Sequence, residues 1–206
     1  MMLIQFNNIN LSFDDKKVFE NFNMRIIEGE KVLLKAPSGK GKSTLLKMLL
    51  GFQKFDSGEI IFDDRMLNRN NLPYFRRNIG YVSQDVDMRN TKVWDFILEV
   101  FSYKYNGHIQ IDKDKVLSMF NYFKLPLDTI NKEISQLSGG ERQRLGLIVC
   151  ILMDRKVWLL DEIASGLDKD TKEIVVDYVL KQDKTIIIIS HDTIWSQNGA
   201  VKIKEW

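Results

Sequence analysis

Several residue types are scarce in this chain of 206 residues, and each shortage excludes a class of protein. Cys150 is the single cysteine, so no disulfide can form within the chain. With only two histidines as well, a zinc site built from cysteine and histidine ligands is excluded. Three prolines and 12 glycines argue against a disordered or collagen-like chain.

Long hydrophobic runs and an excess charge of one sign are missing too. The most apolar stretch, Leu145–Met153, is far shorter than the ~20 residues that span a bilayer. Residues 1–5 lack the basic and apolar segments of a secretory signal peptide. The 30 Lys and Arg against 28 Asp and Glu are too balanced for a general nucleic-acid or membrane-surface binder. We therefore expect a cytoplasmic protein that binds no nucleic acid and does not span a membrane itself.

The hydrophobic pattern predicts an α/β fold. Alternating apolar residues over 2–28, and again over Glu59–Phe62, predict a small antiparallel layer. A strand at Lys31–Lys35 and a helix from Ser43 to Gly51 form the first strand-loop-helix unit of a parallel sheet. Four later apolar runs predict central parallel strands that are covered on both faces: Ile79–Ser83, Val157–Leu160, Thr185–Ser190 and Ala200–Ile203.

The middle of the chain has helical spacing instead. Apolar residues recur on one face of Lys92–Tyr103, Asp112–Phe123 and Gly140–Met153. No linker-like segment divides the chain. We therefore predict one domain over 1–206, with a helical subdomain at about 88–153 inserted in its α/β core.

The strongest local motif lies between the first predicted parallel strand and its helix. It reads Ala36-Pro37-Ser38-Gly39-Lys40-Gly41-Lys42-Ser43-Thr44 and closely matches the phosphate-binding loop G-x-x-x-x-G-K-[ST]. Small residues there let backbone N–H groups surround phosphate oxygens at a helix N-terminus. Lys42 would reach the phosphates, and the Ser43 hydroxyl would ligate Mg²⁺. Ala36 replaces the first glycine, which is tolerable only with a negative φ.

A second motif is the apolar run Val157–Leu160 followed by two carboxylates, Asp161 and Glu162. Side chains at the C-terminal end of a parallel strand project into the crevice where ligands bind. Asp161 can hold Mg²⁺ through water, and Glu162 can polarise an attacking water. Taken alone, the same pattern would also suit a strand that runs into a solvated acidic turn.

A third motif, Leu137-Ser138-Gly139-Gly140-Glu141, precedes a predicted helix and offers a second set of N–H groups to a phosphate. One nucleotide hardly needs two such cradles. We expect the second to serve the nucleotide of a neighbouring subunit in a head-to-tail dimer.

The order of these motifs resembles that of the ATP-binding cassette (ABC) ATPases over essentially the whole chain. The resemblance implies a P-loop NTPase core with a parallel sheet, and ATP and Mg²⁺ as cofactors. It implies that Phe13 stacks on adenine, that Gln84 contacts Mg²⁺ and senses a membrane subunit, and that His191 completes the site. By the same resemblance, Leu137–Glu141 is the family signature, and Ser165–Asp168 is the loop through which Asp168 joins the nucleotide site.

The implied roles then divide into three sets. The catalytic residues are Glu162, His191, Gln84 and Lys42. The metal-binding residues are Ser43, Gln84 and Asp161. The nucleotide-binding residues are Phe13, Ala36 to Thr44, Gln84, Ser138, Gly139, Gly140 and Asp168. The chain departs from the family pattern at Ala36, Lys40, Ile163 and Gly166, none of which removes a catalytic side chain. Trp206 has no evident role in the sequence.

The resemblance favours the ATPase subunit of a transporter, held on the inner face of the cell membrane by separate permease subunits. The cassette would form a homodimer or pair with a different cassette. The alternative is a non-transport ABC ATPase that acts in iron–sulfur assembly, translation or DNA-linked processes. A P-loop kinase would not need the Leu137–Glu141 signature.

Overall fold

A computed structural model describes residues 1–14, 16–86, 88–197 and 199–206. It contains two sheets, one antiparallel and one parallel, with helices packed around them. The predicted mixed α/β class is therefore confirmed.

The antiparallel sheet contains β1 (Met2–Phe13), β2 (Lys16–Ile27), β4 (Ser57–Phe62) and β5 (Arg65–Met66). Its strand order is β2-β1-β4-β5. Because β1 alternates buried and exposed side chains, one face of this sheet packs on the core. This is the predicted antiparallel layer.

The strands of the parallel sheet are β3 (Lys31–Lys35), β6 (Ile79–Val82), β7 (Val157–Asp161), β8 (Thr185–Ile189) and β9 (Lys202–Glu205). Their order in the sheet is β6-β7-β8-β3-β9. Every residue of β7 and β8 is buried, as expected of central parallel strands.

The prediction of central strands was wrong for β6 and β9, which form the two edges of the parallel sheet. The strand β6 is still buried at three of its four residues. The strand β9 begins at Lys202 rather than at Ala200, and it pairs with β3 alone among the described strands. Lys202 and Lys204 leave it charged and mostly exposed. Val201, which is buried just before the strand, gave the segment its apolar character.

Six helices are present in the described part of the chain: α1 (Lys42–Leu49), α2 (Leu72–Asn78), α3 (Val93–Ser102), α4 (Lys113–Tyr122), α5 (Gly139–Leu152) and α6 (Lys169–Leu180). Short 3-10 turns lie at Leu127–Asn131, Ile134–Gln136 and Thr193–Ser196. None of the helices in the described residues has the length and hydrophobicity to span a bilayer. The helices α3 to α5 lie within the predicted subdomain at about 88–153, whose separate status stays a prediction.

The parallel sheet separates two hydrophobic cores, because alternate residues of a strand point to opposite faces. Leu33 and Leu160 belong to the core beneath α3 to α6. Leu34 and Leu159 belong to the core shared with α1 and the antiparallel sheet. Cys150 is buried in the first core, as predicted, and burial raises the pKa of its thiol to about 12.

Candidate active site

The carboxyl ends of three neighbouring strands define the site. The strands β7, β8 and β3 run parallel, and their register aligns Asp161 with Ile189 and Ile189 with Leu34. The segments that follow these strands therefore emerge at one sheet edge, where α/β proteins bind ligands. A cavity of about 330 Å³ opens there, lined by Phe13, Lys16, Val18, Ser38, Gly39, Gly41, Lys42, Ser43, Thr44, Gln84, Asp161, Glu162, Ile189 and His191.

The loop between β3 and α1 has the geometry of a phosphate cradle. Gly39 and Gly41 have φ values of 76° and 84°, in the left-handed region that glycine enters without a steric penalty. The N–H of Lys40 donates to the Pro37 carbonyl at 3.2 Å, and α1 begins at Lys42. Ala36 keeps a negative φ, so its Cβ causes no backbone strain. Lys42, Ser43 and Thr44, the first residues of α1, line the cavity, so an anion would bind there at a helix N-terminus.

Lys42 brings a positive charge to this loop. Its side chain is largely buried, and Nζ donates to the Ala36 carbonyl at 2.6 Å and to the Pro37 carbonyl at 3.4 Å. The Lys42 side chain therefore lies across the phosphate loop and contacts the residues that begin it. In this position it can exchange a carbonyl partner for a phosphate oxygen without moving α1.

Asp161, the last residue of β7, has one carboxylate oxygen without a partner. The Tyr81 hydroxyl donates to Oδ2 at 3.4 Å, whereas the buried Oδ1 has no hydrogen-bond partner among the described residues. Burial raises the pKa of Asp161, and the nearby hydroxyls of Ser43 and Tyr81 partly offset that effect. A buried carboxylate with a free oxygen next to a serine hydroxyl is a donor set that suits Mg²⁺.

Glu162 turns away from the strand in a strained conformation. Its φ is 53°, which is uncommon for a residue with a side chain and costs about 1–3 kcal/mol. The backbone is held on both sides: its N–H donates to the Ile189 carbonyl at 2.9 Å, and its carbonyl accepts from the Ser165 hydroxyl at 2.9 Å. The turn places the carboxylate in the cavity rather than in the core.

The Glu162 carboxylate can act as a base there. Burial raises its pKa, and the neighbouring His191 partly offsets the shift. His191 Nε2 lies 3.7 Å from Glu162 Oε1, although the imidazole itself is exposed. A carboxylate with a raised pKa and an imidazole beside it can accept and pass on a proton.

The third motif lies outside this cavity. Ser138 caps α5, because its Oγ accepts from the Glu141 N–H at 3.2 Å while Glu141 Oε2 accepts from the Ser138 N–H at 2.8 Å. A Cβ on Gly140 would lie 3.2 Å from the Gly166 carbonyl, so the start of α5 packs closely on the loop after β7. Gly139 lines a separate groove of about 610 Å³.

The remaining predicted site residues line the 330 Å³ cavity, the groove beside Gly139 or a cavity next to them, or they cap a helix. Phe13 is exposed at the rim of the 330 Å³ cavity, and Gln84 lines both this cavity and the groove beside Gly139. Ala36 and Pro37 line an adjacent cavity of about 530 Å³. Asp168 caps α6 by accepting from the Thr171 N–H at 3.0 Å, and this contact lowers the pKa of its carboxyl.

Three residues beside the site have no place in the sequence-based prediction. Lys16 and Val18 line the cavity, and Tyr81 donates to Asp161. The apolar run Ile79–Ser83 already placed Tyr81 on a strand. A hydroxyl on the strand before Gln84 is the signal that could have identified it.

The chain matches the family model described as "ABC transporter" over residues 19–165. It is 32% identical over 194 residues to the "Probable iron export ATP-binding protein FetA" of Escherichia coli, with 92% of this chain and 85% of that protein covered. It is 31% identical over 201 residues to the "Energy-coupling factor transporter ATP-binding protein EcfA1" of Oenococcus oeni, with 93% and 72% covered. Other relatives are much longer proteins, of which the chain spans less than a third.

Among solved structures, the chain is similar to the ATP-binding cassette MJ0796, a dimer in a post-hydrolysis state bound to ADP and Pi. The TM-score is 0.83 at 24% sequence identity, with 98% of this chain and 94% of that chain covered. This similarity confirms the predicted fold.

Proposed function

The chain belongs to the ABC transporter family, and from that premise we propose that it is the subunit that binds and hydrolyses ATP to power a transporter. The observation that carries the proposal is the convergence of the phosphate loop, Asp161 and Glu162 on one cavity. ATP hydrolysis needs an anion cradle, a metal-binding carboxylate and a base, and each is present there.

The phosphates of ATP bind at the start of α1. Backbone N–H groups of the loop donate to the phosphate oxygens, and the Lys42 ammonium neutralises part of their charge. Phe13, exposed at the rim, supplies a face on which adenine stacks. Ser43, Asp161 and Gln84 would hold Mg²⁺. When bound, the ion supplies positive charge that stabilises the phosphates in the transition state.

Glu162 acts as the general base. Water attacks the γ-phosphorus, its proton passes to the Glu162 carboxylate, and the bond to the β-phosphate oxygen breaks to give ADP and phosphate. His191 lies close enough to Glu162 to hydrogen-bond the water or the γ-phosphate on that side. The raised pKa of Glu162 increases its proton affinity, which suits this role.

A second subunit completes the site. The start of α5 offers the N–H groups of Gly139 and Gly140, beside the Ser138 hydroxyl, outside the cavity of its own chain. In a head-to-tail dimer these groups of one subunit cover the γ-phosphate held by the other, and Asp168 lies at the same interface. ATP then closes the dimer, and hydrolysis opens it.

The dimer works with separate membrane-spanning subunits. The names of relatives such as FetA and EcfA1 describe ATP-binding proteins of export and transport systems, which supports this arrangement. The helical subdomain at about 88–153 and Gln84 face those subunits, and the chain is thereby held on the inner face of the membrane.

The test uses purified full-length chain and Glu162→Gln. Wild-type protein hydrolyses MgATP, whereas Glu162→Gln binds it, hydrolyses it on the order of 10²–10⁴ more slowly, and elutes as a dimer in ATP. Glu173→Gln, an exposed change on α6, is the matched control and keeps the wild-type rate. A Glu162→Gln variant that hydrolyses ATP at the wild-type rate would remove Glu162 from its assigned role. A wild-type chain that binds no nucleotide would overturn the function.

A further inference from the structure

Trp206 lies beside the phosphate loop because of strand register. The edge strand β9 runs parallel to β3 and pairs Lys35 with Glu205. The next residues along the two strands, Ala36 and Trp206, therefore leave the sheet side by side. Ala36 begins the phosphate loop, and Trp206 carries a large indole for which the sequence alone indicates no role.

The indole makes a direct hydrogen bond to the loop. Trp206 Nε1–H donates to the Lys40 carbonyl at 3.0 Å. Lys40 closes the turn of the loop, because its N–H donates to the Pro37 carbonyl, and Gly41 follows it in the left-handed conformation. The hydrogen bond thus holds the peptide between Lys40 and Gly41, whose N–H belongs to the cradle.

Aromatic packing fixes the indole in place. Its ring lies 5.2 Å from the Phe22 ring and 6.3 Å from the Phe19 ring, measured between centroids. Phe19 also packs on the loop, since a Cβ on Gly41 would come within 2.8 Å of its Cζ. Trp206, Phe22 and Phe19 therefore form an aromatic support behind Lys40 and Gly41.

We propose that Trp206 is a positioning residue for ATP binding, which orients the Lys40–Gly41 peptide so that the phosphate loop is preformed before nucleotide arrives. The inference rests on the proposed function. The acceptor is a backbone carbonyl, so the unusual lysine at position 40 is compatible with it. A preformed loop loses less conformational entropy when the ligand binds, so the ligand binds more tightly.

The experiment compares Trp206→Phe with wild type. Phenylalanine keeps an aromatic ring against Phe22 but has no N–H, so the hydrogen bond to Lys40 is lost. We expect the Kd for MgADP, measured by calorimetry, to rise about two- to tenfold, the factor for one net hydrogen bond. In steady state the KM for ATP rises by a similar factor and kcat stays within twofold, since Trp206 touches no reacting atom.

Two further variants test the aromatic support and serve as a control. Trp206→Ala also removes the aromatic support and weakens MgADP binding more than Trp206→Phe does. Trp94→Phe, a half-buried tryptophan on α3 far from the loop in the sequence, is the matched control and leaves the Kd unchanged. The difference between the tryptophan fluorescence of wild type and that of Trp206→Phe reports on the Trp206 indole. This difference should change when MgADP binds.

The outcomes separate the two proposals. A Trp206→Phe variant that binds MgADP as tightly as wild type overturns the role of Trp206 and leaves the ATPase function standing. A lower thermal stability with unchanged MgADP affinity overturns it too, because that pattern belongs to a packing residue. A wild-type chain that binds no MgADP overturns the proposed function itself.

Discussion

Replacing Gly41 by alanine tests the geometry of the phosphate loop most directly. Gly41 has a φ of 84°, which a residue with a Cβ adopts only under strain. The new methyl group would also lie 2.6 Å from Val18 Cγ1 and 2.8 Å from Phe19 Cζ. Two separate penalties therefore apply, one in the backbone and one in the packing.

The two penalties can be given magnitudes. A left-handed alanine costs about 1–2 kcal/mol, and an overpacked site costs about 1–3 kcal/mol. We expect the free energy of unfolding of Gly41→Ala to fall by about 2–5 kcal/mol. Urea denaturation without nucleotide, followed by circular dichroism, measures this as a lower midpoint at an unchanged slope.

Two other glycines separate the penalties. Gly39, in the same loop, and Gly29, in the turn before β3, have φ values of 76° and 78°. A Cβ on either would meet no atom within 4 Å, so Gly39→Ala and Gly29→Ala should each lose only about 1–2 kcal/mol. If Gly41→Ala lost no more than these controls, the contact with Val18 and Phe19 would be refuted. If all three variants were as stable as wild type, the left-handed turns would be refuted.

Three further predictions concern nucleotide binding, dimer formation and pH. Phe13→Ala should raise the Kd for ATP about two- to tenfold, because stacking contributes about 0.5–1.5 kcal/mol; an unchanged Kd in calorimetry would remove the ring from the site. Gly139→Ala should leave the free energy of unfolding unchanged or slightly higher, since its Cβ would meet no atom within 4 Å. The same variant should lose the ATP-dependent dimer in size-exclusion chromatography, and retention of that dimer would contradict the role given to the start of α5. Burial raises the pKa of Glu162, so its ionisation costs stability. Wild type should lose stability relative to Glu162→Gln as pH rises from the ordinary value of 4.5 through the raised pKa, and the offset between the two proteins should be constant at lower pH. If the urea midpoints of wild type and Glu162→Gln ran parallel from pH 4 to pH 8, the raised pKa of Glu162 would be refuted.

Most of the fold could be predicted from local patterns. The strands β7 and β8 are short, apolar and bounded by polar residues, and α5 follows a capping serine with a glutamate three residues later, so local physics already specifies them. The edge position of β9 could not be predicted this way. It depends on which strand of the sheet accepts Lys202–Glu205, and that choice involves residues about 170 positions earlier in the chain.

In the candidate site, too, some features follow from local sequence and others depend on strand order. The phosphate loop and the carboxylates after β7 have local signatures, because small residues and strand ends impose their own geometry. The hydrogen bond from Tyr81 to Asp161 joins neighbouring strands, and that from Trp206 to Lys40 joins residues 166 positions apart. The Tyr81 hydroxyl lies on a predicted strand, but neither contact itself could be predicted, since each depends on strand order and register.

The place of β3 in its sheet also has a consequence for folding during synthesis. This strand leads into the phosphate loop, and its two neighbours are β8 and β9, which are translated more than 150 residues later. On the ribosome, both edges of β3 therefore stay unpaired until those residues have emerged. Such non-local pairing makes folding slow and exposes an apolar strand to aggregation. Chaperones that bind extended apolar segments should engage Val32–Leu34 in the nascent chain and release it once β8 has been made.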